Sequence, residues 1–424
     1  MDRPLGHLVP AVTIACFLVP DSTPPPRPAV TVVGIGADGW AGLPDPLRQT
    51  VLQAAVVVGG ERHLDLLPDV VGQRRLQWPS PLRVGLPDFV ADLGTEPVVA
   101  LASGDPLVSG IGATLIELLG RDRVLIHPAV SSVSLARARL GWPAESCAVI
   151  SLVGRDAALV LRELAPARRV LVLSSDEHTP ARVAALLTEA GYGGSVLHVL
   201  GDLGAPDESH LSGTAADWSA TSPRLHVLAL ELSGPAVAGW ATGLPDDAFE
   251  HDGQLTKRDL RAAALSRLAP VPGEHLWDIG AGAGSIGIEW MRAHRSCGAT
   301  AVEGNEERAA RIARNAARLG VPGLTVVTGR APGALEGLRT PDAIFVGGGA
   351  TTPGVLDACL AALVPGGRLL VHGVTIETEQ LLAQAYGERG GELTRISVET
   401  AAPVGSFTGW TPARTVTQWA YTRD

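Results

Sequence analysis

The 424-residue chain is almost without lysine: of its 34 basic side chains only Lys257 is one, and the others are arginine. It has four cysteines, Cys16, Cys147, Cys297 and Cys359, far apart and with no CxxC pair. That excludes a disulfide framework and a cysteine-based zinc site, and it fits a reducing cytoplasm. The 11 histidines show no HxxxH-type spacing, so no metal site is expected. No apolar run of membrane length is visible. Residues 8–20 (LVPAVTIACFLVP) fall short of the roughly 20 residues a spanning helix needs. A signal peptide is the alternative for that stretch, since Arg3 precedes it. The Pro-rich DSTPPPRP that follows (21–28) reads as a linker, so 1–28 is taken as an extension. Basic excess is also missing: 44 acidic against 34 basic side chains give a net charge of -10. This argues against a general nucleic-acid binder, which needs a basic surface. It does not exclude an anionic small molecule in a local basic pocket.

What is present is a globular composition, 46% hydrophobic and 18% charged. The length predicts two or three domains. The 50 glycines, 32 prolines and Ala/Arg-rich background reflect a compositional bias, which weakens any argument from arginine abundance. Lys257 stands out against it.

Short apolar runs alternate with helical stretches from residue 29 onward. AVTVVGIG (29–36), EPVVALASGDP (96–106) and RRVLVLSS (168–175) read as buried parallel strands. GLPDDAFEHDG (243–253) reads as a linker. A second alternation follows: HLWDIGAG (275–282), ATAVEGN (299–305), LTVVTGRA (324–331), PDAIFVGG (341–348) and GRLLVHGV (367–374). The repeat of about 20 to 25 residues suits βαβ crossovers. ARTVTQWAYTR (413–423) alternates and is expected to add an antiparallel strand. Both halves are therefore α/β. The expected boundaries are 29–242 and 256–424, joined by 243–255.

In the second half a strand runs into Gly280-Ala281-Gly282-Ala283-Gly284, and a helical pattern follows. Glycines there permit a tight turn and close approach to a ligand at a helix N-terminus. Glu303 ends the next strand, where a carboxylate can accept both ribose hydroxyls of a nucleoside. Gly282-x-Gly284-x-x-Gly287 also satisfies the dinucleotide pattern, which leaves NAD as an alternative. The register acid-x-G-x-G-x-G, with Asp278 at the strand end, instead resembles the S-adenosylmethionine (SAM) loop of Rossmann-like methyltransferases. The turn Pro365-Gly366-Gly367-Arg368 resembles that superfamily too.

In the first half, Val33-Gly34-Ile35-Gly36, Ala102-Ser103-Gly104-Asp105-Pro106 and His127-Pro128-Ala129-Val130-Ser131-Ser132 each sit where a strand meets a loop. Spacing alone also allows three ordinary turns. Together they resemble the tetrapyrrole methylases, over roughly 29–235. The opening GIGADG departs from that family's commoner G-x-G-P-G-D and suits one branch of it. This fold has two α/β lobes with SAM between them, so the resemblance implies cofactor contacts at Gly34, Gly36, Gly104, Asp105, Ser131 and Ser132. Asp105 is equally a turn former.

The pairing of these two domain types, with Asp252-Gly253-Gln254-Leu255-Thr256-Lys257-Arg258 between them, resembles the decarboxylating precorrin methyltransferases of cobalamin synthesis. That resemblance implies methylation of a precorrin at carbons 5 and 15 with loss of CO2 from the acetate on carbon 12. Carbon 5 falls to the N-terminal domain; carbon 15 and the decarboxylation fall to the C-terminal one. One SAM per domain, a homo-oligomer and no metal, membrane or nucleic-acid partner are expected. Gly280, Ala281, Gly282, Ala283, Gly284 and Glu303 are the expected SAM contacts, with Thr256 and Ala331 added by the resemblance. Thr256 also suits an N-cap for a helix over 257–268. Lys257 and Arg258 are expected at the precorrin carboxylates, although Lys257 could be a solvated surface residue. His372, near a strand end, could orient the leaving carboxylate or be a packed histidine. The competing functions are a single-site methyltransferase on another tetrapyrrole, a non-catalytic SAM-binding protein and an NAD-dependent oxidoreductase.

Overall fold

The computed structural model describes residues 29–93, 96–235 and 239–424. The extension expected at 1–28 lies outside them. The described residues divide into two compact units, one ending at Ser131 and the other beginning at Ser132.

In the first unit, Val30–Ile35 (β1), Val56–Gly59 (β2), Arg74–Gln77 (β3), Val98–Ser103 (β4) and Val124–His127 (β5) form one parallel sheet, in the order β3-β2-β4-β1-β5. Side chains alternate between its faces. Val30, Val32, Val56 and Val58 enter one core, while Val33, Ile35, Val57 and Leu101 enter another. A strand buried on both faces reads as a continuous apolar run, which is why β1 and β4 were legible in the sequence.

The second unit holds a five-stranded sheet, a seven-stranded sheet and a two-stranded hairpin. Cys147–Ser151 (β6), Arg169–Leu173 (β7), Val196–Gly201 (β8), Ser209–Thr214 (β9) and His226–Glu231 (β10) pair in the order β6-β7-β10-β8-β9. Only β6 and β7 run parallel there; the pairs made by β10 and β9 are antiparallel. The C-terminal strands are His275–Ile279 (β11), Gly298–Glu303 (β12), Thr325–Thr328 (β13), Ala343–Val346 (β14), Arg368–Gly373 (β15), Glu392–Ile396 (β16), Glu399–Val404 (β17), Phe407–Pro412 (β18) and Val416–Thr422 (β19). Seven of them form a sheet in the order β13-β12-β11-β14-β15-β19-β16. Its first five strands are parallel, and β19 joins antiparallel, as its alternation predicts. This is the order of a Rossmann-like methyltransferase sheet. β17 and β18 form a separate hairpin.

Two features bear on the domain layout. First, 132–235 makes enough contacts with the C-terminal sheet to form one compact unit with it. Contacts explain this. Arg162 Nη2 donates to the Arg292 carbonyl at 3.0 Å, and a Cβ on Gly320 would lie 2.2 Å from the Arg162 nitrogen. Second, 243–253 is not a bare tether. Leu244 and Phe249 are buried in the C-terminal core beside Leu265, Trp290 and Ile312. Its Pro/Gly/Asp content reads as linker because composition does not reveal two isolated apolar anchors.

Candidate active site

At the end of β11 the loop turns through Gly280, Gly282 and Gly284, with φ of +66°, +59° and +75°. Only glycine takes this left-handed region cheaply. Space is tight as well. A Cβ on Gly280 would lie 2.8 Å from the Gly348 carbonyl oxygen, and one on Gly282 would lie 2.7 Å from that of Gln254. Gly287 behaves differently. It sits inside the helix Ser285–Ala293, and its N–H donates to Asp278 Oδ2 at 2.9 Å. The three left-handed glycines, Gly280, Gly282 and Gly284, follow the acid-x-G-x-G-x-G register after Asp278, while Gly287 packs inside the helix.

Glu303, at the end of β12, is nearly buried. Its Oε2 accepts from the Gly282 N–H at 2.9 Å and its Oε1 from the Asn305 N–H at 3.0 Å. Each oxygen keeps further acceptor capacity for a ligand hydroxyl. Asn305 in turn caps the helix Glu306–Arg318 by accepting from the Arg308 N–H at 3.0 Å. Behind the loop, Asp278 is fully buried, and burial pushes its carboxyl up to about 7. The Gly287 N–H opposes this and the Glu303 charge adds to it. Asp278 thus braces the loop from inside the fold rather than meeting solvent.

A cavity of about 440 Å³ opens at this edge of the sheet. Gly280, Glu303 and Ala331 line it, as the sequence reading expects. Asn305, Arg308, Arg330, Gly348, Gly349 and Thr352 also line it and were missed. The Gly347-Gly348-Gly349 run after a strand was the available signal for part of this set. Ala281, Gly282, Ala283 and Gly284 shape the loop without lining the cavity. A loop that only glycine can follow, a carboxylate with spare lone pairs and a cavity of this size fit the nucleoside half of SAM.

Thr256, Lys257 and Arg258 do not line this cavity. The helix begins at Arg258 and Lys257 occupies its N-cap position, so Thr256 is not the cap. The Thr256 carbonyl instead accepts from Arg261 Nη1 at 2.5 Å. Lys257 Nζ lies 3.5 Å from Asp246 Oδ2 and stays half exposed, so it is an ion-paired surface residue. His372 is packed rather than presented to a ligand. It stacks edge-on against Phe345 at 4.9 Å, its Nε2 lies 3.1 Å from Gln418 Nε2, and burial lowers it to about 4. A histidine held neutral in this way is the packed alternative.

The first unit gathers the other expected motifs. A Cβ on Gly34 would lie 2.1 Å from the Gly104 carbonyl oxygen and 2.6 Å from the Ala129 nitrogen. The Ala129 N–H donates to the Gly104 carbonyl at 3.1 Å. The ends of β1, β4 and β5 therefore meet at one place, as three unrelated turns would not. Asp105 Oδ1 accepts from the Leu107 N–H at 2.9 Å, so it does form a turn. Gly36 is held close, since a Cβ there would lie 2.4 Å from Asp38 Oδ1. Ser131 closes this unit, and Ser132 opens the helix Ser132–Leu140 in the other. The sequence reading missed His63, whose Nε2 lies 3.0 Å from Ser103 Oγ, just before Gly104. Burial, with help from the Arg62 charge, lowers that histidine to about 4.

Comparison with known proteins agrees with both halves. Residues 29–218 match the family described as tetrapyrrole (corrin/porphyrin) methylases, and 247–423 match a precorrin methyltransferase domain. The precorrin-6Y C(5,15)-methyltransferase (decarboxylating) of Sinorhizobium sp is 47% identical over 401 residues, 93% of this chain and 97% of that protein. The protein of the same name from Mycobacterium tuberculosis (strain CDC 1551 / Oshkosh) is 44% identical over 93% of this chain and 100% of its own length. The solved C-terminal domain of precorrin-6Y C5,15-methyltransferase from Rhodobacter capsulatus is 40% identical, covering 44% of this chain and 100% of that one with a TM-score of 0.42. With a relative this similar matched along almost its whole length, and both halves matched by their own families, the chain belongs to the precorrin-6Y C(5,15)-methyltransferase (decarboxylating) family.

Proposed function

We infer that the chain methylates precorrin-6Y at carbons 5 and 15 and removes the carbon-12 acetate as CO2, giving precorrin-8X in cobalamin biosynthesis. The observation that carries this is the glycine-lined cavity closed by Glu303, standing in a chain similar over almost its full length to enzymes of that name. When bound, SAM supplies an electrophilic methyl group on a sulfonium. The protein's part is alignment and exclusion of water. Glu303 holds the nucleoside by its hydroxyls, and the Gly280–Gly284 loop keeps side chains out of the approach. Losing CO2 returns an electron pair to the conjugated macrocycle, so the substrate is its own electron sink.

One SAM in each half is part of the same reading. The convergence of Gly34, Gly104 and Ala129 supports a first site, placed in a domain spanning 29–242. The second lies in 256–424. Carbon 5 is assigned to the first and carbon 15 with the decarboxylation to the second. Lys257 and Arg258, at the start of the second half, are assigned to the precorrin carboxylates. A homo-oligomer is supported by the β17–β18 hairpin, which leaves Phe407 and Trp410 largely exposed, since an isolated two-stranded hairpin is marginal in water. Among the described residues no helix is long and apolar enough to cross a membrane.

The test is incubation with the reduced precorrin and methyl-labelled SAM, followed by mass analysis. Two labelled methyl groups gained and one CO2 lost are expected, with two SAM equivalents bound per chain. A single methyl and a single equivalent would refute the two-site reading in favour of one working domain.

A further inference from the structure

Asn315 lies on the helix Glu306–Arg318 and is fully buried. Its carboxamide uses its full hydrogen-bonding capacity, two donors and two acceptors. Oδ1 accepts from the Glu250 N–H at 2.8 Å and from Arg318 Nη2 at 3.3 Å. Nδ2 donates to the Glu250 carbonyl and to the Ala283 carbonyl, each at 3.0 Å. Ala283 stands between Gly282 and Gly284. One side chain therefore ties the passage joining the two halves to the cofactor loop.

The rest of that passage is fastened at several points. Glu289 accepts from the Gly243 N–H at 2.6 Å and the Leu244 N–H at 2.9 Å, and Arg261 Nε donates to it at 2.5 Å. Arg261, itself fully buried, reaches the Thr256 carbonyl and Asp246. Asp252 pairs with Arg308 at 2.8 Å and Arg311 at 3.4 Å, and Arg308 lines the cavity. Between these points Gln254 brings its carbonyl so close to Gly282 that no Cβ would fit. A solvated tether would need none of these bonds.

We propose that residues 250–256 are a fixed brace behind the C-terminal cofactor loop, and that Asn315 is the positioning residue that sets this brace against the glycines. The inference rests on reading the cavity as a SAM site. Asn315 acts through Glu250 and Ala283 and does not itself touch the ligand. Its effect therefore falls on SAM binding at one half of the enzyme.

The test uses the full-length chain with SAM varied at saturating precorrin, scoring carbon-5 and carbon-15 methylation separately. Asn315→Asp keeps the size and both acceptor bonds of Oδ1 but loses both donors and sets a carboxylate against two carbonyls. It is expected to raise the SAM KM for carbon 15 about tenfold, with kcat within about threefold and carbon-5 methylation unchanged; tenfold is about 1.4 kcal/mol. Asp252→Asn, at a partly exposed pair that leaves the core intact, is expected to move the same KM in the same direction by about two- to fivefold. If Asn315→Asp does not fold, Asp252→Asn decides. Unchanged SAM KM in the folded variants, a loss of kcat alone, or equal losses at both carbons would overturn the inference. No SAM-dependent carbon-15 methylation by the unaltered chain would instead overturn the reading of the cavity.

Discussion

Replacing Gly282 by alanine tests the cofactor loop most directly. Two costs add at this position. The backbone has φ of +59°, where an L side chain loses roughly 1–2 kcal/mol. The new Cβ would also stand 2.7 Å from the Gln254 carbonyl oxygen, a backbone atom that cannot rotate away. Relieving such a contact costs about 1–3 kcal/mol in a packed site. Together about 2–5 kcal/mol of stability should be lost. Gly366→Ala is the control, because φ there is +75° but nothing lies within 4 Å of its Cβ. It should lose only the backbone part, about 1–2 kcal/mol. Relief of the clash also draws the Gly282 N–H away from Glu303, which it reaches at 2.9 Å. A hydrogen bond to a charged group contributes about 1.5–3 kcal/mol, so SAM affinity at this half should fall between about tenfold and a hundredfold. Thermal melting and calorimetric SAM titration measure the two effects. If Gly282→Ala melts with the control and binds SAM normally, the loop geometry described above is not what holds the cofactor.

Other perturbations follow from the same structure. Asp278 has its carboxyl raised from 3.8 to about 7, so between those values the native state holds a proton that the unfolded chain has released. Stability should therefore fall as pH rises from about 4 to about 7, by up to roughly 4 kcal/mol, and level off above; Asp278→Asn should flatten the melting temperature across that range. Because burial holds His372 near 4, no inflection from it should appear in the activity profile between pH 5 and 8. His372→Ala should lower the melting temperature, and a pH profile changed in shape at constant stability would refute the packed role. Lys257→Ala removes a half-exposed ion pair with Asp246, expected to change stability by less than about 1 kcal/mol. It should raise the precorrin KM while leaving SAM binding intact; equal loss of both would mark Lys257 as structural.

Much of the fold was legible because parallel strands buried on both faces leave long apolar runs ending at glycine. β1, β4, β7, β11, β12, β14 and β15 were read this way. Of the strands with polar or exposed faces β13 and β19 were read as well, but β16, β17 and β18 were not, and the short buried β2 and β10 were missed. β16 is an edge strand with the alternation of Glu392-Leu393-Thr394-Arg395-Ile396, and β17 and β18 carry Pro403, Gly409 and Pro412, which read as turns. Among site residues lining the cavity, Gly280 and Glu303 were placed by their position at strand ends and Ala331 by the family resemblance. Arg308 and Arg330 escaped notice because arginine is common in this chain and its abundance carries little information. His372 kept two readings for a related reason: a strand end is where ligands collect, and the sequence does not reveal that Phe345 and Gln418 cover the ring.

The sequence by itself determined the two α/β halves, the glycine loop that demands φ above zero and the carboxylate 19 residues past Gly284 that faces it. These are local consequences of residue type and spacing. Only the tertiary structure decided what the joining passage does. Its composition reads as linker, yet Leu244 and Phe249 enter the core, Asn315 and Glu289 bind its backbone from helices distant in sequence, and Arg261 binds it from the helix that follows. Likewise only the fold shows that Lys257 is neutralised by Asp246 and that Gly287 turns its N–H inward to Asp278. Hydrogen bonds between residues 15 to 65 positions apart leave no periodic trace, so they are settled by packing and not by pattern.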